Sequence, residues 1–184
     1  EDRIANWETS TPVKEREEML RAGYVGWRDA RKLDPQKGFP GVRFAMLHTL
    51  SHLLIREMAL ECGYNAASIR ERIYSTNDNL AMAGILLYTA AADSDGTLGG
   101  LVELGKKENL ENIISKGLER ATICSSDPLC FEHDPAKDRS LHSAACHACS
   151  FVGETSCEIG NRFLDRCLLV KTFECEDAAF FKDF

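Results

Sequence analysis

One stretch of the chain limits its fold more than any other. Four cysteines are spaced Cys124-x5-Cys130-x15-Cys146-x2-Cys149, and Cys157 follows eight positions later. A C-x2-C pair presents two thiolates from one tight turn, which is how half of a tetrahedral zinc site is built. The x15 separation lies in the range over which a chain returns to supply the other two ligands. Cys124-x5-Cys130 is looser than a standard knuckle, but the proline turn in "SSDPLC" still allows both sulfurs to converge. His133, His142 and His147 lie nearby as alternative donors. The surroundings are polar and turn-rich, which does not suit cysteines acting as small hydrophobes. "ACHAC" follows no strand of a thioredoxin-like unit, so a redox C-x-x-C is disfavoured. Four thiolates leave no open coordination position, so the expected metal is one structural Zn2+ per chain.

Cysteine usage elsewhere agrees. The remaining thiols, Cys62, Cys157, Cys167 and Cys175, are scattered through apolar or helical contexts in a chain of 184 residues. A chain of that length does not need disulfides, and the pattern suits a reducing compartment. No signal peptide opens the sequence and no apolar run is long enough to span a bilayer, so a cytoplasmic location is expected. The first residue is Glu1 rather than Met, which suggests a piece of a longer protein. A net charge of −7 argues against a surface that coats nucleic acid, so any DNA contact is expected to be local or shared with a partner.

The periodicities point to a mixed α/β fold, with helices packed on a small sheet and a cysteine-rich zinc-binding insert. Residues 1–40 are expected to form a polar, helical N-terminal segment leading to upstream parts, and residues 41–184 the α/β domain. Within the first segment, Thr11 and Pro12 resemble a cap and first-turn proline ahead of "VKEREEMLRAGYVGWRDARK". Trp7, Tyr24 and Trp27 would lay it against a neighbouring surface. Residues 42–62 carry apolar positions at spacings of three and four, with Gly63 just beyond. Residues 70–75 suit a short helix or a strand. The apolar run 82–90 predicts a buried strand, and 107–121 a second amphipathic helix. "NRFLDRCLLVKTF" reads as a closing helix or strand with Phe163, Leu164, Cys167 and Leu168 inward.

Two further features invite functional readings. His48 and His52 share one helical face, as in the H-E-x-x-H zinc-protease helix, but Thr49 stands where the general base would be. The preferred reading is a histidine pair satisfied by backbone or carboxylate partners. The loop "DSDGTLGG" lacks the Walker ending and the full G-x-G-x-x-G, and Asp93 and Asp95 would repel phosphate. A plain turn is favoured. As a loop meeting nucleic acid or a partner, it would use Gly96, Gly99, Gly100, Lys106 and Lys107, with Lys116 and Arg120 as further basic points.

Taken together, "HTLSHLLIREMALECGYNAASIRERIY", "GILLYTAAADSDGTLGGL" and "CSSDPLC…AACHACSFVGETSCEIGNRFLDR" resemble the C-terminal region of the DrmB family of the bacterial DISARM anti-phage defence systems. The same segments are similar to the zinc-binding domain appended to MrfA-type DNA helicases. The resemblance covers residues 38–170. It implies a non-catalytic zinc-binding domain that works with a superfamily 2 helicase, DrmA-like in DISARM, and engages DNA through the complex. It also implies that Cys124, Cys130, Cys146 and Cys149 hold the zinc. Helicase-appended members bring their cysteines closer together, and the fifteen-residue insertion here leaves Cys157 or His147 as a substitute ligand. Two rival classes remain: a metal-dependent hydrolase or nuclease using His48 and His52 with Asp93 or Asp95, and a pure protein-interaction scaffold.

Overall fold

The computed structural model describes residues 2–63, 65–76, 82–89, 100–173 and 175–183. Its axis is the helix predicted over 42–62. This helix, α3 (Val42–Cys62), follows two others, α1 (Asp2–Glu8) and α2 (Thr11–Asp29). Apolar residues surround most of its circumference, and Val42, Ala45, Met46, Leu47, Leu53, Leu54, Ile55 and Met58 are all buried. A helix that is apolar all round must be covered on every side. Here α1, α2, a β-hairpin and the helix over Lys107–Ala121 supply the cover. Gly63 ends α3 in the left-handed conformation at φ 66°, where a Cβ is costly.

After a short 3-10 turn, β1 (Ile69–Thr76) pairs antiparallel with β2 (Met82–Thr89), in a register running from Ile69↔Thr89 to Thr76↔Met82. The ambiguous segment 70–75 is therefore strand. In β1, Ile69, Glu71 and Ile73 point inward in strict alternation. The expectation of a buried strand at 82–90 is corrected: no residue of β2 is buried, and Met82, Leu86 and Tyr88 are exposed. Packing from α3 covers only one face of the two-stranded sheet, so the other stays wet.

α4 (Gly100–Leu104) leads into α5 (Lys107–Ala121), which buries Ile113, Leu118 and Ala121. From residue 122 onward the chain is mainly turns. Its regular pieces are α6 (Pro135–Asp138) and a 3-10 turn at Arg166–Leu168. The closing segment is thus neither helix nor strand, yet Phe163, Leu164, Cys167 and Leu168 are all buried as expected. Trp7, Val13, Leu20 and Tyr24 enter the same buried cluster as Met46, Leu53, Leu168 and Val170. The cap of α2 falls on Ser10, one residue before the predicted Thr11, with Pro12 in the first turn.

Candidate metal centre

The segment 124–149 brings its sulfurs together without help from a sheet. Asp127 accepts from the Cys124 amide at 2.9 Å, and the Asp127 amide donates back to the Cys124 carbonyl at 3.0 Å. The turn closes when the Cys130 amide donates to Ser126. Across from it, the amides of Ser150 and Phe151 donate to the Cys146 carbonyl, which folds the C-x2-C turn. Sulfur separations are 3.5 Å for Cys124–Cys146, 3.7 Å for Cys130–Cys149 and 3.8 Å for Cys146–Cys149. All four sulfurs lie within 4.8 Å of one another. A tetrahedron with Zn–S bonds of about 2.3 Å has edges of about 3.8 Å, so the donor set fits one zinc. Backbone N–H groups already point at these sulfurs, Ser126 to Cys124 at 3.4 Å and Cys146 to Cys149 at 3.3 Å.

The Cys130–Cys149 sulfur contact raises Cys130 and lowers Cys149 to about 5, the latter against its burial. A zinc tetrathiolate carries a net charge of about −2, and a buried arginine, shared with Asp127, lies within its field. Arg166 is fully buried, donates to the Ala121 carbonyl at 2.9 Å and pairs with Asp127, the residue that shapes the first turn. Arg56 on α3 grips the second turn, donating to the carbonyls of Ala148 and Phe151 at 2.9 Å. Composition did not single out these two arginines. The sequence signal was an arginine beside an acid inside apolar runs, "LLIREMAL" and "FLDRCLL".

The proposed substitutes lie elsewhere. His147 is exposed and rests its ring against Phe151. Cys157 sits 3.1 Å from His48 Nε2, in a separate cluster with His52 and Glu71. The helix histidines do find carboxylate and backbone partners: His48 lies 2.9 Å from Glu71 Oε1, and His52 Nδ1 donates to the Ser150 carbonyl at 2.9 Å. Burial opposes charging His48 or ionising Cys157, but Cys157 and Glu71 outweigh it at His48, and His48 and His52 outweigh it at Cys157. His48 is raised to about 9 and Cys157 lowered to about 6. Glu71 was missed, although the alternation Ile69, Glu71, Ile73 marks it as an inward acid.

Of the loop residues, Gly96 and Gly99 lie outside the described residues, as do Asp93 and Asp95, while Gly100 opens α4. The basic points beyond it each face a carboxylate: Lys106 with Glu103, Lys107 with Glu111, Lys116 with Glu61 and Arg120 with Glu57. A different basic surface lies beside the cysteine turns. An open groove of about 660 Å³ is lined by Trp27, Arg139, His142, His147, Phe151 and Arg162, among others.

The fold and the four-sulfur centre define a small metal-stapled domain, and the family model of the MrfA Zn-binding domain matches residues 50–150. The chain belongs to that family. It is also similar to DISARM protein DrmB of Bacillus paralicheniformis, at 43% identity over 180 residues, or 97% of this chain. That alignment spans 31% of the relative, so the chain corresponds to about a third of its length.

Proposed function

We propose that this chain is a non-catalytic domain of an anti-phage defence protein, stapled by one zinc on Cys124, Cys130, Cys146 and Cys149, which partners a superfamily 2 helicase and assists DNA engagement. The observation that carries the reading is the closed four-sulfur cluster. Every ligand position is filled by thiolate, so the metal holds a shape and activates no water. The helicase and DNA parts rest on the similarity to a DISARM protein and on the groove beside the cluster. Arginines interleaved with Trp27 and Phe151 are the side chains that grip phosphate and stack on bases. On a chain of net charge −7, that groove confines DNA contact to one patch. The hydrolase reading loses support because the His48 and His52 rings have no exposed surface to meet a substrate.

The test has two arms. Metal analysis of the purified chain should show that Cys146→Ser loses zinc from the four-thiolate centre and melts far below the wild type, since a structural zinc contributes on the order of 10 kcal/mol. Co-purification with the helicase, followed by DNA binding across a salt series, should show that Arg139→Ala with Arg162→Ala flattens the salt dependence by about two counterions. Helicase binding with no DNA shift at any salt would favour the scaffold instead.

A further inference from the structure

The second cluster is built unlike an ordinary core. His48, His52, Glu71 and Cys157 come from α3, β1 and the turn region, and their relative exposures are 0%, 0%, 3% and 8%. One nitrogen, oxygen or sulfur from each lies within 4.8 Å of the others. His48 Nε2 stands 2.9 Å from Glu71 Oε1 and 3.1 Å from Cys157 Sγ, and His52 Nε2 is 3.4 Å from the same Oε1.

Hydrogen bonding leaves this group incomplete. The Ser150 carbonyl can only accept, so His52 Nδ1 carries a proton and a neutral ring presents its Nε2 lone pair inward. This is the arrangement in which an imidazole donates one N–H to a carbonyl and ligates through the other nitrogen. Backbone amides support the anionic partners, Asn161 donating to Cys157 Sγ at 3.1 Å and Glu158 to Glu71 Oε1 at 3.3 Å. Yet among the described residues His52 Nε2, His48 Nδ1 and Glu71 Oε2 are buried with no hydrogen-bond partner. The two rings stand with centroids 4.4 Å apart, edge to face, beside the carboxylate and the thiol. One divalent cation among them would take up the orphaned His52 nitrogen together with the other three donors.

We infer that His48, His52, Glu71 and Cys157 form a second, closed zinc site, which ties α3 to β1 and to the turn carrying Cys157. Two imidazoles, one carboxylate and one thiolate suit a borderline-soft ion in a four-coordinate site. Tetrahedral edges for such ligands are about 3.3–3.6 Å, so the donors move outward by a few tenths of an ångström on loading. His48 and Cys157 lie outside residues 50–150, the span matched by the family model.

Native mass spectrometry of the purified chain should count two zinc ions per chain. Cys157→Ser and Glu71→Gln should each leave one, and Cys146→Ser should remove only the other. In the metal-stripped wild type, cobalt titration should give two phases: one with intense four-thiolate charge-transfer absorption and one with a weak single-thiolate band. A wild-type count of one, lost in Cys146→Ser, together with a single cobalt phase, would overturn the second site and leave the proposed function standing. A single zinc lost in Cys157→Ser but kept in Cys146→Ser would overturn the four-thiolate assignment instead. If the variants aggregate, the wild-type count and the cobalt phases decide alone.

Discussion

Arg16 is the clearest case of one residue holding distant parts together. Its guanidinium reaches from α2 to Asp165, with bonds of 2.8 and 2.7 Å, and to Ser143 at 2.9 Å. Asp165 has no exposure, and it also accepts from the Cys167 amide to start the final 3-10 turn. Arg16→Met strands that carboxylate in the interior and should cost about 3 kcal/mol in urea unfolding. Adding Asp165→Asn should recover part of the loss, because the stranded charge is then gone. His142 gives a pH signature at the same scale. Burial, with His133 stacked on it at 4.4 Å, holds its imidazole below the ordinary 6.5, so the folded ring is neutral where the unfolded ring takes a proton. The unfolded chain binds more protons below that value. Stability from this group is therefore complete above pH 6.5 and falls as pH drops through it. Melting temperatures at pH 5.5 and 7.5 should differ less in His142→Phe than in the wild type.

Between elements, a close contact joins α2 to α6. A Cβ on Gly23 would stand 2.6 Å from Pro135 Cβ and 3.0 Å from its backbone carbon. Gly23→Ala should therefore destabilise by about 1–3 kcal/mol, even though alanine favours the helix by about 1 kcal/mol. Thermal melts with Gly26→Ala as control would check this, since no described residue comes within 4 Å of a Cβ there. Element by element, the sequence was legible where one periodicity governs. α3 and α5 fall on their predicted ranges, and the C-x2-C turn pairs with the upstream cysteines. Legibility failed where tertiary contact overrides local pattern. The run 82–89 is apolar enough for a core strand, but only one face meets α3. The segment after Asn161 carries core residues with no period, because carbonyls, Asp165 and Arg166 position it rather than a ladder. Cys157 looked like a spare ligand for its sequence neighbours, and only the crossing of β1 with α3 reveals its partners.

At the scale of the whole molecule, the cysteine turns are not a detachable knob. Leu168, Leu169 and Val170 are fully buried in the cluster that holds Trp7 and Val13, and Arg166 links them to Asp127 beside Cys124. Metal loss should therefore spread through the chain. Hydrogen exchange after chelation should show α1 losing protection together with residues 124–149, within one cooperative transition. Protection lost only between residues 122 and 160 would contradict this.

The bond from Trp7 Nε1 to the Ala178 carbonyl, 2.8 Å long, spans 171 residues. Its consequence concerns synthesis. A ribosome adding about 5–20 residues per second leaves the Trp7 face of the nascent chain uncovered for roughly 10–35 s. Throughout that interval the helices already made have no lid, and the thiols emerge one pair at a time. Completion of this domain therefore waits for residue 178, and a stall before it leaves an apolar surface that chaperones must shield.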